Sequence, residues 1–100
     1  MSKTCNVALL GQKFMGRVHS NAYLKAGRFF KLPVEPVMHT IVGRDLIALA
    51  PFADRWGWKH YNTNWKEVVK DSDIDLVDIG TPNYLHAEQA VAALDRKRHV

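Results

Sequence analysis

The sequence predicts an α/β fold, a doubly wound and mostly parallel sheet that is truncated near its fifth strand. Two observations lead to this prediction. Short apolar runs of strand length alternate with longer amphipathic segments along the whole chain. Glycines, prolines and helix-capping residues lie at the junctions between these segments. In a sheet of this kind the carboxyl ends of the strands meet at one edge, and ligands bind there.

The first strand and the first helix enclose a loop that contains glycine. Residues 7–10 form an apolar run of strand length, and Gly11 ends it. Gly16 follows five residues later, and residues 15–26 have the pattern of a helix. Gly27 stands where a residue in the left-handed conformation commonly closes a helix, so we expect it to end this one.

The second strand follows a segment with two prolines. Pro33 and Pro36 exclude a helix, so we expect a loop before the β-branched residues 37–42, which predict a strand. Asp45 is placed to cap the next helix, and Gly57 is placed to end it.

A short strand and a short helix come next. The strand is expected at residues 60–61. Asn64 and Glu67 have the spacing of a capping box, in which two residues satisfy each other's backbone N–H groups, and they predict a helix over residues 65–70.

The last predicted elements are a buried strand and an amphipathic helix. Residues 75–80 form the apolar run, and Asn83 is placed to cap the helix that follows. Residues 99–100 predict the start of a further strand. The apolar stripe of the helix is expected to consist of Leu85, Ala87, Ala90, Val91, Ala93 and Leu94.

Composition describes one ordinary globular domain, residues 1–100. Apolar residues make up 47% of the chain and charged residues 24%. No apolar run approaches the ~20 residues that span a bilayer, and the first residues lack a signal-peptide pattern, so we expect no membrane partner and no export. The single cysteine, Cys5, cannot form an internal disulfide, which favours a reducing, cytoplasmic setting.

The net charge of +4 raises the question of nucleic-acid binding. Only residues 96–98 concentrate positive charge, and the other cations are spread along the chain. Nucleic-acid-binding domains gather charge on one face, so we expect no nucleic-acid partner. Nor does a metal site follow from the histidines, whose spacing matches no ligand motif: His19, His39, His60, His86 and His99.

The loop between Gly11 and Gly16 resembles the G-x-G-x-x-G fingerprint of dinucleotide binding. The first glycine lets the backbone turn off the strand, and the last lets the helix pack against it. The N-terminus of the helix then faces a pyrophosphate. Lys13 replaces the middle glycine, so the pattern by itself leaves nucleotide binding an open alternative to an ordinary small-residue loop.

The second strand end supplies both residues that distinguish the two dinucleotides. An acid at this point favours the 2′-hydroxyl of NAD, and an arginine favours the 2′-phosphate of NADP. Gly43 is followed by Arg44 and Asp45, so NAD or NADP remains open, with a slight lean to NADP from the net charge and Lys13. The alternative is that Asp45 is only a helix cap and Arg44 only a surface residue.

The third strand end carries Thr81, Pro82 and Asn83, with His86 one turn later. The amide of Asn83 can donate to and accept from a ribose, and His86 projects the same way. The alternative is a turn, a helix cap and a surface histidine. Together, special residues at three strand ends favour a dinucleotide site.

These segments together resemble the Gfo/Idh/MocA family of NAD(P)-dependent oxidoreductases. The similar stretches are VALLGQKFMGRVHSNAY, GRD, FADRWGW, DIDLVDIGTPNYLHAEQAVAAL and the terminal HV. The resemblance implies an N-terminal Rossmann domain. It implies three groups of cofactor-binding residues, at the pyrophosphate, the adenosine and the nicotinamide: Gly11, Phe14, Met15 and Gly16; Gly43, Arg44 and Asp45; Thr81, Pro82, Asn83 and His86.

Lys13 and Lys97 depart from the family pattern, whereas His19 matches it. Lys13 replaces a glycine, so its ammonium is expected to contact a phosphate if it points outward. Where the family has A-G-K-H-V, Lys97 replaces the glycine, and we expect the exit of the last helix to tighten or distort. His19 matches a family histidine and is expected to be structural or near the site.

The resemblance also implies parts that this sequence does not contain. In the family, a Glu-Lys-Pro motif follows the matched region, and its lysine is the usual catalytic acid/base. A C-terminal domain that binds the substrate and forms the oligomer comes after it. The expected activity of the complete enzyme is hydride transfer between nicotinamide and a hydroxyl-bearing carbon of a sugar or cyclitol. We expect the present chain to bind the dinucleotide without turnover and assign it no catalytic residue. The alternatives are a non-catalytic NAD(P)-sensing module and an inactive fragment.

Overall fold

The computed structural model describes residues 3–100, which form one four-stranded sheet with helices on both faces. All strand pairs are parallel, and the order is β3-β2-β1-β4, which confirms the predicted fold class. Residues 1 and 2 of the predicted domain lie outside the described part. The elements are β1 (Lys3–Leu10), α1 (Phe14–Phe29), β2 (Val34–Val42), α2 (Leu46–Trp56), β3 (His60–Asn62), α3 (Trp65–Lys70), β4 (Leu76–Ile79), a 3₁₀ turn (Asn83–Leu85) and α4 (His86–Asp95).

The central strand β1 is buried on both faces because helices cover each side. Val7 and Leu9 pack with side chains of α1 and α2, whereas Ala8 and Leu10 pack with side chains of α3 and α4. A strand buried on both faces reads as a continuous apolar run, which is why this segment stood out in the sequence.

The strand order reverses between β1 and β4. β2 and β3 lie on one side of β1 and β4 lies on the other, so the crevice between the ends of β1 and β4 is the topological switch point of the sheet. Beyond β4, His99 pairs with Leu76 in a parallel bridge. This single bridge lies where the sequence predicts the start of a further strand, while the sheet of the described residues has four strands.

The first helix and the second strand are both longer than the sequence predicts. α1 continues past Gly27 to Phe29 and ends at Phe30 in an extended conformation, so the prediction of a left-handed cap at Gly27 is wrong. β2 begins at Val34 and includes Pro36. Because β3 pairs only with residues 40–42, Pro36 lies where β2 is an edge and its missing N–H costs no hydrogen bond to β3.

The capping box predicted for α3 is not formed. Asn64 does cap the helix, since its side chain accepts a hydrogen bond of 3.1 Å from the N–H of Lys66. Its own N–H donates to the side chain of Asn62, at 2.8 Å, and takes the place of the predicted bond to Glu67.

The last helix begins two residues later than predicted, and its buried face matches the predicted stripe only in part. Asn83 starts a 3₁₀ turn and does not cap α4. Gln89 and Ala93 are the buried residues of α4, whereas Val91 and Leu94 of the predicted stripe are 57% and 58% exposed. The predicted stripe is confirmed at Ala93 and wrong at Val91 and Leu94. It excluded the polar Gln89, whose side chain finds a hydrogen-bond partner in the interior.

The exit of α4 keeps a regular geometry without glycine. Lys97 adopts the left-handed φ of 60°. The N–H groups of Lys97 and Arg98 donate to the carbonyls of Leu94 and Ala93, at 2.8 and 3.0 Å, which is the hydrogen-bond pattern of a Schellman motif. The expected distortion does not occur, because lysine accepts a backbone conformation that glycine adopts more readily.

Candidate cofactor site at the carboxyl edge of the sheet

The fold brings the three strand ends singled out in the sequence to one edge. Two backbone hydrogen bonds join them: the N–H of Gly11 donates to the carbonyl of Val42, and that of Gly80 donates to the carbonyl of Leu10, both at 2.8 Å. The loops after β2, β1 and β4 therefore lie side by side. The predicted grouping of the loops is observed, while the role of each residue toward a cofactor stays a prediction.

The glycines of the first loop are required by close backbone contacts. Gly11 has a φ of +118°, and a Cβ there would lie 2.7 Å from the carbonyl oxygen of Gly80. A Cβ on Gly16 would collide with the carbonyl oxygen of Gly11. The loop thus folds against both β4 and its own helix, as a dinucleotide-binding loop does.

The N-terminus of α1 offers unsatisfied donors at this edge. Lys13 occupies the capping position without a side-chain hydrogen bond, and the first turn contains no acidic residue. The first N–H groups of a helix have no partner within it, so they suit an anion. Lys13 has a φ of −91°, outside the positive range that favours glycine.

Phe14 and Met15 extend this edge with apolar surface. The side chain of Phe14 is 65% exposed, and the guanidinium of Arg17 lies 5.9 Å from the centre of its ring. Met15 reaches toward β4, since its Cβ lies 3.6 Å from the position that a Cβ on Gly80 would take. Met15 therefore lies beside the crevice between β1 and β4, whereas the ring of Phe14 is exposed against Arg17.

The second loop is held by a residue that the sequence did not single out. The side-chain oxygen of Gln12 accepts a bond of 3.1 Å from the N–H of Asp45, and its amide nitrogen donates to the Asp45 carbonyl at 3.3 Å. The carboxylate of Asp45 caps α2 by accepting from Ala48 at 3.2 Å, as predicted. Arg44 is exposed. No local pattern marks Gln12, because its partner lies 33 residues away.

The third loop is braced from within α4. The hydroxyl of Thr81 donates to the side-chain oxygen of Gln89 at 2.6 Å, and Gln89 is 1% exposed. The ring nitrogen Nε2 of His86 donates to the carbonyl of Thr81, also at 2.6 Å. His86 therefore shapes the turn, while Pro82 and Asn83 remain exposed at the edge. No local pattern marks Gln89, a polar residue outside the predicted apolar stripe.

A polar cluster lies beneath the first and third loops. Asp78 of β4 accepts hydrogen bonds from the hydroxyl of Tyr23 at 2.7 Å and from Nδ1 of His19 at 2.8 Å, both on α1. Burial, reinforced by the carboxylate of Asp78, raises the pKa of Tyr23 far above its usual range. This places the predicted structural or near-site residue His19 between the glycine loop and β4.

Between residues 3 and 100, no group of three His, Cys, Asp or Glu side chains is arranged to hold a metal ion. Within the same range, no helix combines the length and the apolar character needed to cross a bilayer.

Comparison with known protein families assigns the chain to one of them. Residues 5–100 match the profile of Gfo/Idh/MocA, described as an oxidoreductase family with an NAD-binding Rossmann fold. The chain belongs to this family. The resemblance inferred from the glycine loop, the GRD segment and the T-P-N-x-x-H segment is confirmed.

Individual family members are similar over almost the whole chain. Levoglucosan dehydrogenase of Pseudarthrobacter phenanthrenivorans is 41% identical over 96 residues, which are 95% of this chain and 25% of the relative. A solved levoglucosan dehydrogenase with NADH and levoglucosan superimposes with a TM-score of 0.93 at 40% identity, over 97% of this chain and 26% of that one. An oxidoreductase domain protein from Kribbella flavida gives a TM-score of 0.92 at 40% identity, over 100% of this chain and 26% of that one.

The similarity concerns the N-terminal part of these relatives. This chain spans about a quarter of the length of the relatives it matches. The fold is also similar to that of a protein with low sequence identity: scyllo-inositol dehydrogenase from Lactobacillus casei has a TM-score of 0.83 at 22% identity.

Proposed function

We propose that this chain is the dinucleotide-binding part of an NAD(P)-dependent oxidoreductase that transfers hydride between the nicotinamide and a hydroxyl-bearing carbon of a sugar or cyclitol. The observation that carries the proposal is the close approach of Gly11 to Gly80 and of Gly16 to Gly11, at the switch point of the sheet. These contacts form a cradle of bare backbone beside a helix N-terminus, which suits a pyrophosphate.

The pyrophosphate is assigned to the first loop. Gly11 and Gly16 provide the close backbone approach, and Lys13, Phe14 and Met15 border it. The uncapped first turn of α1 supplies N–H donors and a positive dipole end. An exposed ammonium on Lys13 adds positive charge for a phosphate oxygen.

The adenosine is assigned to the second loop, with Gly43, Arg44 and Asp45. Asp45 already caps α2 through one carboxylate oxygen, Oδ1, so the capping role and a bond to a ribose hydroxyl are compatible. The family description and the NADH complexes of levoglucosan dehydrogenase support NAD. The exposed Arg44 and Lys13 and the net charge of +4 favour NADP slightly, so we propose both, with a small preference for NADP.

The nicotinamide is assigned to the third loop, with Thr81, Pro82, Asn83 and His86. When bound, the nicotinamide supplies the hydride chemistry, and the protein supplies binding and orientation. The bonds from Thr81 to Gln89 and from His86 to the Thr81 carbonyl support this assignment, since they hold the turn rigid. Asn83 is exposed there with both a donor and an acceptor.

For the whole protein we propose a sugar-like substrate. Solved complexes of levoglucosan dehydrogenase with levoglucosan and with L-sorbose support a sugar-like substrate. We propose that residues 1–100 bind the dinucleotide without turnover, since proton transfer and substrate binding are assigned to a C-terminal domain, as is any oligomer. The lone cysteine, Cys5, supports a cytoplasmic location.

The binding proposal is tested by titrating the chain with NADH and NADPH. The fluorescence of its three tryptophans reports binding, because energy transfer to the reduced nicotinamide quenches indole emission. Saturable quenching with either dinucleotide is expected. The Gly16→Ala variant is expected to bind at least tenfold more weakly, because its Cβ would collide with the Gly11 carbonyl. Absence of a response at millimolar concentration of both dinucleotides would contradict the proposal.

A further inference from the structure

Gln12 connects the loop assigned to the pyrophosphate with the loop assigned to the adenosine. Its side-chain amide makes two hydrogen bonds to one residue, accepting from the N–H of Asp45 at 3.1 Å and donating to its carbonyl at 3.3 Å. A primary amide carries a donor and an acceptor side by side, so it can make both bonds of this fork without a charge. Both bonds cross 33 residues of sequence.

Gly43 is matched to Gln12. A Cβ on Gly43 would collide with the side-chain amide of Gln12, so glycine at this position leaves the space that the amide fills. The backbone N–H of Gly43 is used toward β3, where it donates to the carbonyl of Asn62 at 3.4 Å. Gln12 and Gly43 together set the path of the chain as it leaves β2.

The amide also fixes how α2 begins. The Asp45 carbonyl accepts from the N–H of Leu49 at 2.9 Å, the first bond of the helix, as well as from Gln12. The Asp45 carboxylate accepts from Ala48. With its N–H, carbonyl and carboxylate all engaged, Asp45 has a defined orientation at the edge of the sheet.

We propose that Gln12 is a positioning residue for the adenosine half of the dinucleotide: its amide holds Arg44 and Asp45 where they meet the ribose. This rests on the proposed function. Gln12 acts through the backbone of Asp45, so removing its amide weakens ligands that carry the adenosine and spares those that carry only the nicotinamide half.

The test compares wild-type chain with Gln12→Leu, using ADP-ribose and nicotinamide mononucleotide as separate probes of the two halves. Leucine is close in size but makes no hydrogen bonds. The dissociation constant for ADP-ribose is expected to rise at least fivefold, while that for the mononucleotide changes less than twofold. Asn21→Leu is the matched control, because Asn21 is exposed on α1 away from the loops, and it is expected to leave both constants unchanged.

A second variant separates positioning from loss of folding. In Gln12→Glu the protonated carboxyl has the same donor and acceptor as the amide, whereas the ionised form only accepts. The usual pKa of a glutamate is about 4.3, so ADP-ribose affinity relative to wild type is expected to recover as the pH falls from 8 to 4.5. Lys13, Arg44 and Asp45 are charged groups common to both proteins. Nicotinamide mononucleotide also carries a phosphate, so its affinity over the same pH range controls for repulsion between the introduced carboxylate and a phosphate.

The outcomes separate this proposal from the proposed function. Equal loss of affinity for both probes, or unchanged ADP-ribose binding in Gln12→Leu, overturns the role of Gln12 alone. A Gln12→Glu ratio that is flat with pH does the same. If the wild-type chain binds neither ADP-ribose nor NADH, the dinucleotide site itself is wrong, and the positioning role falls with it.

Discussion

The hydroxyl of Tyr23 donates a hydrogen bond of 2.7 Å to the carboxylate of Asp78, and this bond fastens the middle of α1 to β4. His19, one turn earlier on α1, contacts the same carboxylate at 2.8 Å. Asp78 is two residues before Gly80 and His19 is three residues after Gly16. The cluster therefore ties together the two elements whose ends form the crevice assigned to the dinucleotide.

The Tyr23 bond predicts a loss of stability in alkali. Burial first, and then the Asp78 carboxylate, raise the pKa of Tyr23 in the folded chain above its unfolded value of about 10. Below pH 10 the Tyr23 hydroxyl is protonated in both the folded and the unfolded chain, and its contribution to the free energy of unfolding is complete. Above it the unfolded state loses the proton first, so the free energy of unfolding falls with rising pH.

The variant Tyr23→Phe isolates this contribution. At pH 7 it is expected to lower the free energy of unfolding by about 1.5–3 kcal/mol, the usual value of a hydrogen bond to a charged group. The difference from wild type is expected to shrink between pH 10 and 11.5, measured by urea unfolding at each pH. A difference that stays constant over this range would show that Tyr23 does not titrate as its surroundings require.

A second buried bond joins α1 to the residue behind α2. The indole N–H of Trp58 donates to the hydroxyl of Ser20 at 3.0 Å, and these residues are 5% and 0% exposed. Ser20→Ala leaves the indole N–H without a partner in the core, so it is expected to cost about 1–3 kcal/mol of unfolding free energy. Ser72→Ala, in an exposed turn, is the control with the same chemical change and is expected to cost less than about 0.5 kcal/mol. Equal costs in the two variants would contradict the assigned role.

The sequence predicted features whose signals are local. The run of residues 7–10, the cap at Asp45 and the left-handed Gly57 each depend on a few neighbouring residues, and the structure has them as expected. Gly27 was misassigned because nothing in its neighbourhood distinguishes a helix-ending glycine from an interior one. In the structure α1 continues for one more half-turn to Phe29.

The hydrogen bonds that hold the site could not be predicted from local patterns, because they join residues far apart in the sequence. Gln12 meets Asp45 across 33 residues, and His19 meets Asp78 across 59. Polar side chains such as Gln12 and Gln89 carry no periodicity of their own, so they become meaningful only when the sheet order is known. The order β3-β2-β1-β4 is what makes the three loops neighbours.

The left-handed residues at the two helix ends predict opposite effects of substitution. Lys97 has a φ of 60° and ends α4, whereas Gly57 has a φ of 85° and ends α2. A side chain in this conformation costs about 1 kcal/mol relative to glycine. Lys97→Gly is therefore expected to raise the unfolding free energy by about 1 kcal/mol, and Gly57→Ala to lower it by about 1 kcal/mol.

Thermal and urea unfolding of these variants check this expectation. Lys97→Ala removes the same charge and keeps a Cβ, so its unfolding free energy is not expected to rise as that of Lys97→Gly does. If Lys97→Ala stabilises the chain as much as Lys97→Gly, the effect arises from charge and the strain at this position is negligible.

Lys13 gives the most direct test of the first loop as a phosphate site. Its φ of −91° lies outside the positive range that favours glycine, so the main change in Lys13→Gly is the loss of an ammonium. One charge-assisted hydrogen bond is worth about 1.5–3 kcal/mol, so dissociation constants are expected to rise about tenfold or more, at least as much for NADPH as for NADH. Fluorescence titration at low salt measures both constants. Lys31→Gly makes the same change in an exposed loop segment and is expected to leave them within twofold of wild type. If Lys13→Gly binds NADPH as tightly as wild type, the ammonium contacts no phosphate, and the helix N-terminus alone carries the anion.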